Sequence, residues 1–105
     1  MEEVDKLITE KLEAIINEIL NSKSNDWCFT GPKSDAVKAD KYILYFSNNE
    51  VCINNIKTGK TSTQNDIEKY IDLSIINELR RKLYSIQVDL RTIDRRNKLK
   101  EFLEL

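Results

Sequence analysis

The sequence predicts an α+β domain: a small antiparallel sheet of about three strands, an N-terminal helix and a long C-terminal amphipathic helix. Three observations lead there. Residues 2–21 carry apolar side chains at three- and four-residue steps, the middle of the chain holds short β-rich runs separated by turn residues, and residues 74–105 form a helical pattern without glycine or proline. A length of 105 residues fits one domain, 1–105, with room for a single core.

The first helix is expected over Glu2–Asn21, where Val4, Leu7, Ile8, Leu12, Ile15, Ile16, Ile19 and Leu20 form a wide apolar stripe suited to packing on a sheet. Glu2, Glu3 and Asp5 sit where the helix macrodipole favours negative charge. Asn21–Asn25 has no periodicity and ends the helix. Trp27–Thr30 reads as a short strand, broken by Gly31 and Pro32, and the polar segment onward to Asp40 reads as a long loop. Asp35 and Asp40, among Lys33, Lys38 and Lys41, read there as solvating charges.

Tyr42–Phe46 is a continuous apolar run, the pattern of a central strand covered on both faces. Its partner is expected at Val51–Ile56, across Ser47–Glu50, where asparagine can take the left-handed conformation of a hairpin turn. Val51, Ile53 and Lys57 should point one way and Cys52, Asn54 and Ile56 the other, giving one better-buried face. Thr58-Gly59-Lys60 is a second hairpin turn, with a short third pairing at Thr61 and Ser62. Thr63 and Asp66 form a capping box that starts a helix near Gln64, and Asp72 is placed to cap a new one after a break, with Ile71 and Ile76 as its hydrophobic staple.

From Ser74 to Leu105, heptad positions a fall on Ile76, Leu83 and Leu90 and positions d on Leu79, Ile86 and Ile93. Beyond them Asn97 and Lys100 make the seam polar, while Leu99, Phe102, Leu103 and Leu105 move the apolar surface to another face. Such a helix would run about 45 Å, beyond the roughly 30 Å of so small a domain, so part of it should overhang and serve a second contact. The expectation is a homodimer through Ile76, Leu79, Leu83, Ile86, Leu90 and Ile93.

Composition narrows function more by exclusion than by signature. The net charge of -1 and 33% charged residues fit a globular, cytoplasmic protein, the acidic N-terminus does not resemble a secretory signal, and no run is long enough for a membrane span. Histidine is absent, which removes the usual general base and transition-metal ligand; no cofactor is expected, and carboxylates, tyrosines or a cysteine are what an enzyme would have to use. Cys28 and Cys52 show no metal or redox spacing and are expected as reduced thiols. Gly59-Lys60-Thr61 ends like a phosphate-binding loop, yet Asn54 stands where that motif needs glycine.

Charge is asymmetric: Met1–Asn21 holds six acidic and two basic residues, Arg80–Lys100 eight basic and two acidic. Arg81, Arg91, Arg95 and Lys98 fall on outer heptad positions and Arg80, Lys82 and Arg96 flank the seam. This basic stripe is either a solvated face, a face covered by the acidic first helix, or a contact for nucleic acid or a nucleotide through Arg81, Arg91, Arg95, Arg96 and Lys98. The function expected from these features is that of a non-enzymatic interaction protein, homodimeric and acting on an unidentified protein partner as an inhibitor or regulator of phage or mobile-element type, with nucleic-acid or nucleotide binding as the alternative.

Overall fold

A computed structural model of the chain describes residues 2–105. Helix α1 (Glu2–Asn21) leads through a 3-10 turn to a five-stranded antiparallel sheet: β1 (Cys28–Phe29), β2 (Val37–Lys38), β3 (Tyr42–Ser47), β4 (Glu50–Asn55) and β5 (Thr61–Thr63). The strands lie side by side in chain order. A short helix, α2 (Gln64–Ile67), and the long α3 (Leu73–Leu103) complete the chain. The architecture is α+β as expected, with five strands in place of about three.

The extra strand is β2, inside the stretch expected to be a loop. Val37 pairs with Phe29 on one side and Leu44 on the other and is fully buried. Two residues set among polar neighbours give no alternation to read, so only the tertiary pairing makes this strand visible.

Both turns follow local chemistry. Ser47 pairs with Glu50, leaving Asn48 (φ 51°) and Asn49 (φ 65°) as a two-residue left-handed turn, the backbone asparagine tolerates best after glycine. Gly59 takes φ 73° in the next turn. Thr63 and Asp66 exchange the bonds of a capping box at the start of α2. The chain then breaks, and α3 starts after Asp72, whose side chain makes no capping bond.

The sheet puts Val37, Leu44, Val51 and Ile53 on the face that meets the helices. Against them pack Ile16 and Ile19 of α1, Ile67 of α2, and Ile76, Leu79, Leu83 and Ile86 of α3. Ile43, Tyr45 and Cys52 point to the opposite face and lie outside this core. β3 is thus central in the sheet but not covered equally on both faces. Its apolar run reflects one core face and one half-buried face.

The expected dimer seam is corrected here. Ile76, Leu79, Leu83 and Ile86 are 0% exposed within a single chain, and Leu90 is packed at the margin of the same core. Of the six, only Ile93 lies open. A heptad a/d stripe and the stripe of a helix lying on its own sheet share the three-and-four spacing, and the sheet is what covers this one.

Both long helices outrun the core. Residues 2–7 of α1, 92–103 of α3 and the two that follow are exposed throughout, and the molecule measures 61 × 27 × 25 Å. At about 1.5 Å per residue, α3 is roughly 46 Å long and lies along the longest dimension.

Candidate interaction surface

Where the seam ends, the apolar character of α3 crosses to the other side of the helix. Leu90 is the last α3 side chain packed on the core, and one, two and three turns on, the same face carries Asp94, Asn97 and Glu101, all exposed. The outer face carries Tyr84, Val88, Leu99, Phe102 and Leu103, with Phe102 81% and Leu99 58% exposed. Thr92 and Arg95 bridge the steps between Val88 and Leu99 at three- and four-residue spacing, so this is one continuous stripe along the helix. Asn97 is exposed and marks the end of the inner seam.

The basic residues divide into those spent on the fold and those left free. Arg80 donates to the Asn49 carbonyl at 2.6 Å, to Asn49 Oδ1 at 3.1 Å and to Gln64 Oε1 at 2.8 Å, and its guanidinium lies 5.1 Å from the centre of the Phe46 ring. It ties α3 to the β3–β4 turn and to the start of α2, a fixed structural clamp. Lys82 donates to the Ser22 carbonyl, and Arg91 pairs with Asp35, whose carbonyl accepts from Gln87 Nε2 at 2.9 Å. Asp35 is therefore a partner of α3, not the free solvating charge its loop setting suggests. Lys98 pairs with Asp94 one turn back at 3.0 Å. Arg81, Arg95, Arg96 and Lys100 make no side-chain hydrogen bond or ion pair among the described residues.

The acidic first helix does not neutralise them. α1 and α3 touch, yet among the described residues no ion pair joins them; the one acidic α1 side chain in an ion pair is Glu18, with Lys41 at 3.0 Å. That hydrogen bond raises the Lys41 pKa above its ordinary value. Near it, Tyr42 is pushed up by burial and by Glu18. The charge asymmetry of the sequence thus remains in space as two separate surfaces, an acidic start of α1 and a basic outer side of α3.

Two concavities flank these elements. One, about 550 Å³, lies beside the outer stripe between Phe46, Asn49, Arg80, Arg81 and Tyr84. The other, about 500 Å³, lies between the end of α1 and the sheet, beside Trp27, Asp40, Lys41 and Tyr42. In the second, Lys41 is committed to Glu18, and Trp27 Nε1 donates to Ser22 Oγ at 2.9 Å. Both cysteines are free, Cys28 exposed and Cys52 buried, with the Cys52 thiol pushed up by burial and by Glu50. Among the described residues no group of three metal-binding side chains comes together, and no helix is long and apolar enough to cross a membrane.

Sequence reasoning read the change of apolar face along α3, misplaced the seam, and missed Arg80 as a clamp, since its partners lie 16 and 31 residues away. Comparison with known proteins leaves the reading to these residues alone: no family model, no curated protein and no solved structure matches the chain.

Proposed function

We propose that this chain is a non-enzymatic interaction protein that assembles with itself through α3 and, so assembled, occupies the surface of another protein. The observation that carries this reading is the outer stripe: Leu99, Phe102 and Leu103 are exposed on about three turns of helix that contribute nothing to the chain's own core. Keeping large apolar groups on a projecting helix favours a partner that covers them. The self-contact moves from the inner seam to this outer face. Covering a partner's surface is the mode of action of small inhibitors and regulators encoded by phages and mobile elements, and we assign the chain to that class, acting in the cytoplasm.

Sedimentation velocity at micromolar concentration tests the assembly. The wild-type chain should sediment as a dimer and Phe102→Asp as a folded monomer with unchanged far-ultraviolet circular dichroism. A strictly monomeric wild-type chain defeats the reading.

A second reading, nucleic-acid or nucleotide binding, is favoured by one observation, the unpaired guanidinium groups of Arg81, Arg95 and Arg96 on the outer side of α3. It requires fluorescence anisotropy to report oligonucleotide binding that weakens steeply with salt and falls when Arg95 and Arg96 are both replaced by alanine. Absence of binding at low ionic strength removes it.

A further inference from the structure

We infer that the outer face of the α3 tail docks on the exposed first two turns of α1 of a second copy, and that the contact is made twice across a two-fold axis. The inference rests on the self-assembly proposed above and names its counter-surface. Val4 and Leu7 are 52% and 51% exposed on a helix whose later turns are in the core, so the start of α1 is a second uncovered apolar patch. Glu3 and Glu10 stand one turn before and after Leu7 on its side of the helix, and both are exposed.

The tail is its electrostatic complement. Arg95 and Arg96 lie one turn before Leu99, and Lys100 lies beside Leu103, whereas Asp94 and Glu101 fall on the other side of the helix. An apolar patch flanked by Arg95, Arg96 and Lys100 meets one at the start of a helix where Glu2, Glu3, Asp5 and Glu10 outnumber Lys6 and Lys11. Pairing the tail with a second tail instead sets one outer face carrying Arg95, Arg96 and Lys100 against another of the same charge, which costs affinity. Within one chain neither patch is covered: residues 2–7 and 92–105 are exposed, and among the described residues no ion pair links α1 to α3. A two-fold axis satisfies both patches of both copies at once and closes the assembly.

The test is a charge swap read by sedimentation equilibrium, with folding checked by circular dichroism. A head variant, Glu3→Lys with Glu10→Lys, and a tail variant, Arg95→Glu with Arg96→Glu, should each self-associate at least about tenfold more weakly than wild type, given two reversed contacts per dimer. Mixed in equal amounts they should form a heterodimer near wild-type affinity, because the reversed tail meets the reversed head and the other contact is native. If the wild-type chain dimerises and the head variant dimerises equally well, this inference fails while α3-mediated assembly stands. A mixture no tighter than either variant alone also overturns it, and a monomeric wild-type chain overturns both readings.

Discussion

At the scale of single residues, position along α3 decides what a side chain contributes. Leu83 is fully buried among strand and helix residues, so Leu83→Ala removes core contacts and leaves a cavity, costing about 2–5 kcal/mol of unfolding free energy in urea titration. Leu99→Ala, sixteen residues on, should change stability by less than about 0.5 kcal/mol, since that side chain is 58% exposed and lies outside the core. Equal losses at the two positions would mean that the tail folds back on the body. Titration follows burial in the same way. The Cys52, Tyr42 and Lys41 pKa values are all raised, by burial for the first two and by the Glu18 hydrogen bond for Lys41. A raised folded value means that the folded chain holds its proton more tightly than the unfolded one. The associated stability is present at neutral pH and is lost as pH rises through the folded values, starting above the ordinary thiol value of 9.0. Urea midpoints should therefore stay level from neutrality to about pH 9 and then fall, and Cys52→Ala should delay the onset of that fall. A midpoint that rises above pH 9 contradicts this.

At the scale of elements, the helices and turns were legible because their causes are local. The apolar period of α1 gave its ends, Asn48 and Asn49 announced a left-handed turn, and Thr63 with Asp66 marked the start of α2. The second strand was not legible, because Val37 is held by Phe29 and Leu44 across the sheet and by nothing in its own neighbourhood. The role of the α3 seam was ambiguous for a different reason. Spacing reports that a helix has an apolar stripe and is silent on what covers it, whereas the change of face after Leu90 was readable and is what divides the helix in two. That division has a measurable consequence. The inner part of α3 is sealed by the sheet, while its last twelve residues, 92–103, are a projecting helix, a length that is marginal in water without packing. Amide hydrogen exchange at high dilution should be slow over residues 76–87 and close to unprotected over 92–103, with protection of the tail appearing as concentration rises. Ending the chain after Arg91 should leave the urea midpoint within error of wild type and abolish self-association. Loss of the fold on that truncation would show that the tail belongs to the body after all.

At the scale of the whole molecule, the acidic and basic ends of a chain of net charge -1 become a question of shape. The long axis is set by α3, and the tail occupies one end of it. If each tail lies on the other copy's α1, the two copies run the line from tail to head in opposite directions, side by side. The dimer then extends little further than the 61 Å of one chain and gains thickness instead. Tails paired only with tails overlap over the exposed helical residues 92–103, about 18 Å of helix, and give a rod of roughly 100 Å from two chains of 61 Å. Small-angle X-ray scattering separates these outcomes by maximum dimension alone. The crossed arrangement also joins opposite charges at solvent-accessible rims, so added salt should weaken it several-fold without abolishing it, because screening removes the ionic attraction and leaves the contact of Leu99 and Phe102 with Val4 and Leu7. A particle near 100 Å long whose association tightens with salt would instead mean that like-charged tails meet, held by their apolar stripe against the repulsion of their own arginines.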